Sequence, residues 1–175
     1  MLLINTSIKE GNNTGRVVRA VAHYLQQMQW KVDVAEMIPF APFTGSYLKE
    51  TTAVAQEAAP FVHKIERAVN HLYFVPTYYK MMPGAFKNYL DITRMASLYH
   101  GKRIGIVATN AKNQDYGARQ FLQTLLGLLE FHHAVSVIIP QLLILDPEAV
   151  DLASFQQYLD YYVQFPVPTV SPVKN

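Results

Sequence analysis

The chain contains no cysteine. That excludes a disulfide framework, a thiolate zinc site and a cysteine nucleophile. Charge is sparse as well: 16% of residues are Asp, Glu, Lys or Arg against 50% hydrophobic, too little charge for a disordered chain and enough apolar material for a core. The excess of one sign is only +2, so no global basic field for nucleic acid is expected. Basic residues are not interleaved with aromatics as a nucleic-acid platform requires. No apolar run reaches the roughly 18 residues that cross a bilayer. The opening run Met1–Ile4 is too short for a signal peptide and lacks a basic flank. The expectation is a cytoplasmic protein with no membrane partner. Three chemical signatures are also missing: a Gly-Lys-Ser/Thr phosphate loop, a Gly-x-Gly-x-x-Gly dinucleotide fingerprint and a Gly-x-Ser-x-Gly elbow. His23, His63, His71, His100, His132 and His133 show no ligand spacing with carboxylates, so no metal is expected.

What is present, in 175 residues, is the length of one domain. The pattern alternates short apolar runs with helical stripes. Leu2-Leu3-Ile4 reads as a buried strand; Val17, Val21, Leu25 and Met28 recur at helical spacing over residues 14 to 29. A second strand falls within Lys31–Met37, and a Pro- and aromatic-rich loop follows over 38–49, carrying Phe40 and Tyr47. A helix spans about 53 to 69, with Pro60 expected to start or kink it. Leu72–Val75 is the third strand, Pro83–Ser97 a helix, Arg103–Thr109 the fourth strand, Gly117–His132 a helix and Ala134–Pro140 the fifth strand. Asp146-Pro147 is expected to cap and start a last helix with Leu152, Phe155, Leu159 and Tyr162 on one stripe. One domain over 1–165 and an irregular tail over 166–175 result.

Strands alternating with helices imply a parallel sheet covered on both faces. Ligands then bind beyond the carboxyl ends of the strands, where strand order reverses. The loop after the first strand, Thr6 to Thr14, offers hydroxyls at Ser7 and Thr14, amides at Asn12 and Asn13 and an ammonium at Lys9. It feeds straight into a helix, whose free N–H groups suit a phosphate. A polar turn with an N-cap from Asn13 or Thr14 is the plainer alternative.

The loop after the third strand carries Pro76-Thr77-Tyr78-Tyr79, then Pro83-Gly84-Ala85-Phe86-Lys87-Asn88-Tyr89-Leu90-Asp91. It resembles the NADPH-dependent FMN reductase family, whose pattern is Pro-Glu-Tyr-Asn, a short variable stretch and Pro-Gly-x-Leu-Lys-Asn-x-x-Asp. Pro76, Tyr78, Pro83, Gly84, Lys87, Asn88 and Asp91 match at the same spacing. Ser7 matches the family's Gly-Ser-x-Arg-x-x-Ser phosphate loop, while Thr6, Lys9 and Asn12 depart from it; Lys lacks the bidentate fork of Arg. The loop after the fourth strand, Thr109-Asn110 onward, keeps only Gly117 of the expected glycines.

The resemblance implies an α/β flavodoxin-like three-layer sandwich with a five-stranded parallel sheet in the order 2-1-3-4-5. It implies FMN as cofactor, NADPH or NADH as co-substrate, and a ping-pong hydride transfer through FMN to a small acceptor such as a flavin or quinone. By the same resemblance Ser7, Lys9, Asn12, Asn13 and Thr14 would hold the phosphate. Pro76, Thr77, Tyr78 and Tyr79 would run beside the isoalloxazine, and Thr109 and Asn110 would meet its pyrimidine side. No side chain need be catalytic, because the cofactor does the chemistry. A flavodoxin-type electron carrier and a scaffold that has lost the flavin are the alternatives; a pI near 8.7 argues against the usually acidic carrier.

Charge is uneven along the chain. From Lys80 to Arg119 there are seven basic and two acidic residues, net +5; from Gln120 to Asn175 there are one and five, net −4. The basic stretch borders the proposed flavin loops and suits a nicotinamide cofactor's phosphates. The helix after Gly117 carries Phe121, Leu122, Leu125, Leu126, Leu128 and Leu129, more than one buried stripe. Phe86, Tyr89, Leu90 and Ile92 are a similar surplus. A homodimer, or a tetramer built from it, would cover the second face; the C-terminal aromatics Phe155, Tyr158, Tyr161 and Tyr162 are the alternative cover within one chain.

Overall fold

The computed structural model describes residues 1–37, 51–78, 81–87, 99–110, 116–131 and 136–169. Five strands, β1 (Leu2–Asn5), β2 (Asp33–Glu36), β3 (Asn70–Pro76), β4 (Arg103–Thr109) and β5 (Val137–Leu145), form one sheet in the order β2-β1-β3-β4-β5. Every pairing is parallel. The helices are α1 (Asn13–Gln27), α2 (Thr51–Arg67), α3 (Tyr116–Phe131) and α4 (Leu152–Val163). Strand order reverses between β1 and β3, the switch point of a flavodoxin-like sheet.

Side chains alternate across the pleat. Leu2, Ile4, Tyr73, Val75, Ile104, Ile106 and Ala108 face one core with Phe61 and Ile65 of α2, Phe121 and Leu125 of α3, and Phe86. Leu3, Leu72, Phe74 and Val107 face the other with Val17, Val21 and Leu25 of α1 and Phe155, Leu159 and Tyr162 of α4. The C-terminal aromatics therefore pack on the sheet face opposite α3 and do not cover it.

Several boundaries differ from the sequence reading. β5 runs through Pro140 to Leu145 instead of ending at Pro140. Pairing shifts between Ile104↔Ile138 and Ile106↔Leu142, so β5 carries extra residues at the shift, Pro140 among them. A residue without an N–H is tolerated there because β5 is an edge strand. The Ile106 N–H, beside the shift, donates to the Tyr158 hydroxyl at 3.0 Å. A Cβ at Gly105 would stand 2.5 Å from that hydroxyl and 2.9 Å from Tyr162 Cδ2, so α4 lies this close to β4 only because position 105 has no side chain.

Asp146 does not start the last helix. Its carboxylate accepts from Glu148 N at 2.8 Å in a local turn, and Asp151 caps α4 by accepting from Ala153 N and Ser154 N at 3.0 Å. Pro60 lies inside α2 and does not begin it; the missing N–H is offset by burial of the neighbouring Phe61 and Ile65. Asn12, not Asn13 or Thr14, is the N-cap of α1. The helix after Pro83 is described only through Lys87. The Phe40–Tyr47 loop, Tyr89, Leu90 and Ile92 lie outside the described residues.

Candidate functional site

At the carboxyl edge of the sheet, three loops meet around the switch point. Each is tied to the others by a side-chain hydrogen bond. Ser7 Oγ and Tyr78 Oη are 3.1 Å apart, joining the first loop to the third. Thr14 Oγ1 and Thr109 Oγ1 are 2.8 Å apart and buried, joining the start of α1 to the end of β4. Asn110 Nδ2 donates to Thr77 Oγ1 at 2.7 Å, joining the fourth loop to the third. These are the hydroxyls and amides that a strand-to-loop transition leaves without sheet partners, and here they satisfy one another.

The first loop folds on itself before meeting any ligand. Thr6 donates through N and Oγ1 to Phe74 O, at 3.1 and 2.9 Å, which pins the loop's start to β3. Asn12 Oδ1 accepts from Gly15 N at 2.5 Å and Asn12 Nδ2 donates to Lys9 O at 2.5 Å. The Asn12 carboxamide is thus committed to capping.

Between the loops lies a cleft of about 310 Å³, at the small end of small-molecule sites. Lys9, Asn12, Asn13 and Thr14 line it from the first loop, Pro76, Thr77 and Tyr78 from the third, and Thr109 and Asn110 from the fourth. Ser7 is not part of the wall; it is buried behind it, held to Tyr78. Tyr79 lies outside the described residues, as do positions 111–115 of the fourth loop. Two lining residues escaped the sequence reading: Gly11 and Pro147. Pro147 follows β5 and is set in place by the Asp146–Glu148 turn. Its signal was the same Asp-Pro pair that suggested a helix start.

Gly117 has a structural duty at this edge. Met81 and Tyr78 exchange backbone hydrogen bonds, Tyr78 N to Met81 O at 3.0 Å and Met81 N to Tyr78 O at 2.8 Å. A Cβ on Gly117 would stand 2.8 Å from Met81 O and 3.0 Å from Thr77 Cγ2. The first turn of α3 therefore seats the third loop by direct backbone contact.

Among the described residues the lining carries one cation, Lys9, and no carboxylate. The cleft opens onto the N-terminus of α1, whose first turn holds no acidic residue. An ammonium, hydroxyls, amides and free helix N–H groups form a donor set that fits a phosphate monoester. At the other end Tyr78, 43% exposed, and the Thr77–Asn110 pair present one aromatic face and polar edges, as a flat heterocycle requires. Among the described residues no group of His, Asp and Glu is placed to hold a metal, and no helix is long and apolar enough to cross a membrane.

The family model described as NADPH-dependent FMN reductase matches residues 1–144. No significant match is found among curated protein sequences. Solved structures of similar fold include the flavoenzyme NAD(P)H:(acceptor) oxidoreductase FerB from Paracoccus denitrificans, 16% identical, covering 93% of this chain and 94% of that one with a TM-score of 0.66. An NADH:FMN oxidoreductase in its apo form is 16% identical over 98% of this chain and 90% of that one, TM-score 0.65. Oxidised flavodoxin 1 from Bacillus cereus is 12% identical over 93% and 96%, TM-score 0.58. At these identities the likeness shows the fold alone.

Proposed function

This chain belongs to the NADPH-dependent FMN reductase family, and from that premise we propose that it is an FMN-dependent NAD(P)H oxidoreductase serving a small acceptor such as a flavin or quinone. Bound in the cleft, FMN would supply hydride-accepting chemistry toward NAD(P)H and onward transfer of reducing equivalents. The protein's own work is to hold, orient and shield. Lys9, the Asn13 amide, Thr14 and the first-turn N–H groups of α1 would hold the phosphate. Pro76, Thr77, Tyr78, Tyr79, Thr109 and Asn110 would border the isoalloxazine. NAD(P)H and acceptor would occupy the same open side in turn.

The observation that carries this reading is the convergence of three cross-linked loops on one cleft at the switch point, whose described lining holds Lys9 and no carboxylate. Titrating the protein with FMN while following flavin fluorescence tests it. Saturable binding is expected, and Ser7→Ala/Lys9→Ala should weaken it on the order of tenfold, a charged contact discounted for the exposure of Lys9. Absence of binding would leave a flavodoxin-like scaffold with another purpose.

The same reading includes a homodimer formed across α3. Leu126 is 47% exposed there, Leu122 and Leu128 are only partly buried, and α4 packs on the other sheet face. A second subunit would cover the remaining apolar surface.

A further inference from the structure

A carboxylate stands beside the first loop, where an anion-binding loop would be expected to avoid one. Glu36 ends β2 in register with Asn5 at the end of β1. Asn5 is wholly buried. Its Oδ1 accepts from Ser7 N at 3.1 Å, its Nδ2 donates to Glu36 Oε2 at 2.6 Å, and the same Nδ2 lies 3.4 Å from Asn12 Oδ1. One carboxamide therefore touches the first residues of the loop through Ser7 and the cap of α1 through Asn12.

An Asn side chain has two flip states that differ only in which end donates. With Nδ2 toward Glu36, every contact joins a donor to an acceptor. In the flipped state Oδ1 would face the Glu36 carboxylate and Asn12 Oδ1, while Nδ2 would face the Ser7 N–H. The ionised acceptor makes the correct state strongly preferred, because hydrogen bonds to a charged group are the stronger kind.

We propose that Asn5 and Glu36 form a latch that holds the first loop in the shape that receives the flavin phosphate, with Glu36 as a positioning residue that favours an anion its charge alone would repel. The inference rests on the flavin reading above and adds a requirement to it. The two ideas of Glu36 predict opposite signs. If the carboxylate acts only through its field, removing it tightens phosphate binding. If it acts as a latch, removing it loosens the loop and weakens phosphate binding.

The test compares FMN with riboflavin, which lacks the phosphate, by fluorescence titration of each variant, alongside its thermal unfolding. Wild type should prefer FMN. Glu36→Ala should lose about five- to tenfold in FMN affinity, the worth of one charge-assisted hydrogen bond, with riboflavin affinity unchanged. Glu36→Gln keeps an acceptor for Asn5 Nδ2 and should recover most of that loss. Asn5→Asp should lose at least as much as Glu36→Ala, and Asn5→Asp/Glu36→Gln should regain part of it because Gln can donate to the new carboxylate. Glu36 is exposed, so its variants fold and carry the test even if Asn5→Asp does not. FMN binding by Glu36→Ala that equals or exceeds wild type overturns the latch, as does an equal loss of riboflavin. Wild type that binds neither flavin overturns the flavin reading and the latch with it; wild type that binds both equally overturns the phosphate cradle.

Discussion

Burial and the neighbouring Lys102 ammonium push the His71 imidazole down to about 4. His71 Nε2 donates to Ala68 O at 2.9 Å, the carbonyl that also accepts from Lys102 Nζ at 2.7 Å. His71 Nδ1 is buried with no partner among the described residues, so protonation would create an unpaired cation inside the fold. The unfolded chain binds this proton near pH 6.5 and the folded one only near 4, so stability is complete above 6.5 and falls as pH drops through that window. The loss reaches about 3 kcal/mol at pH 4. Urea unfolding should show about 2 kcal/mol less stability at pH 5 than at pH 7, and His71→Gln should flatten most of that slope. A slope unchanged by the substitution would assign it to other groups. At this scale a residue's place is legible where its type has one use in one place: Lys9 and Thr14, beside a helix start, do line the cleft. It is less legible where one type has several uses. Asn12 both lines the cleft and caps α1, and Ser7 matches a family position but lies behind the cleft wall. Asn5 carries no signal in the sequence, because an Asn ending a strand points nowhere until its partner on β2 is known.

Among the elements, α4 is fixed to the sheet by two features that periodicity does not reveal. Tyr158→Phe leaves the Ile106 N–H without its acceptor beside the pairing shift, at a cost of about 1–3 kcal/mol. Gly105→Ala forces α4 away from β4 and should cost about 1–3 kcal/mol by overpacking. Both are read as lowered urea midpoints; variants as stable as wild type would mean that α4 tolerates displacement. β1, β3 and β4 were visible as apolar runs because both faces of a parallel sheet are covered, and the edge strand β2 by its polar–apolar alternation. The end of β5 was not, because Pro140 signals a stop and only the edge position makes it tolerable. The start of α4 was misplaced by five residues because Asp146 and Asp151 both suit a cap; the intervening Asp146 turn instead brings Pro147 to the cleft.

For the whole molecule, the all-parallel sheet followed from alternating strands and helices, and its order from the family resemblance. The cleft's position then followed from the switch point. What the sequence withheld was how the loops are tied, since Thr14–Thr109 and Ser7–Tyr78 join residues 95 and 71 positions apart. Quaternary structure is decided at this scale. Sedimentation at micromolar concentration should give twice the 19.9 kDa chain mass, and Leu126→Glu should shift it toward the monomer; a wild-type monomer would refute the dimer. The central claim is that three loops at one sheet edge hold a flavin that NAD(P)H can reach. Its most direct measurement is anaerobic mixing of the FMN-loaded protein with NADPH, and separately with NADH, while following the flavin's visible absorbance. The account predicts that at least one nucleotide bleaches the flavin before any acceptor is added and that a quinone or free flavin restores the colour. Flavin that stays oxidised with both nucleotides would contradict it.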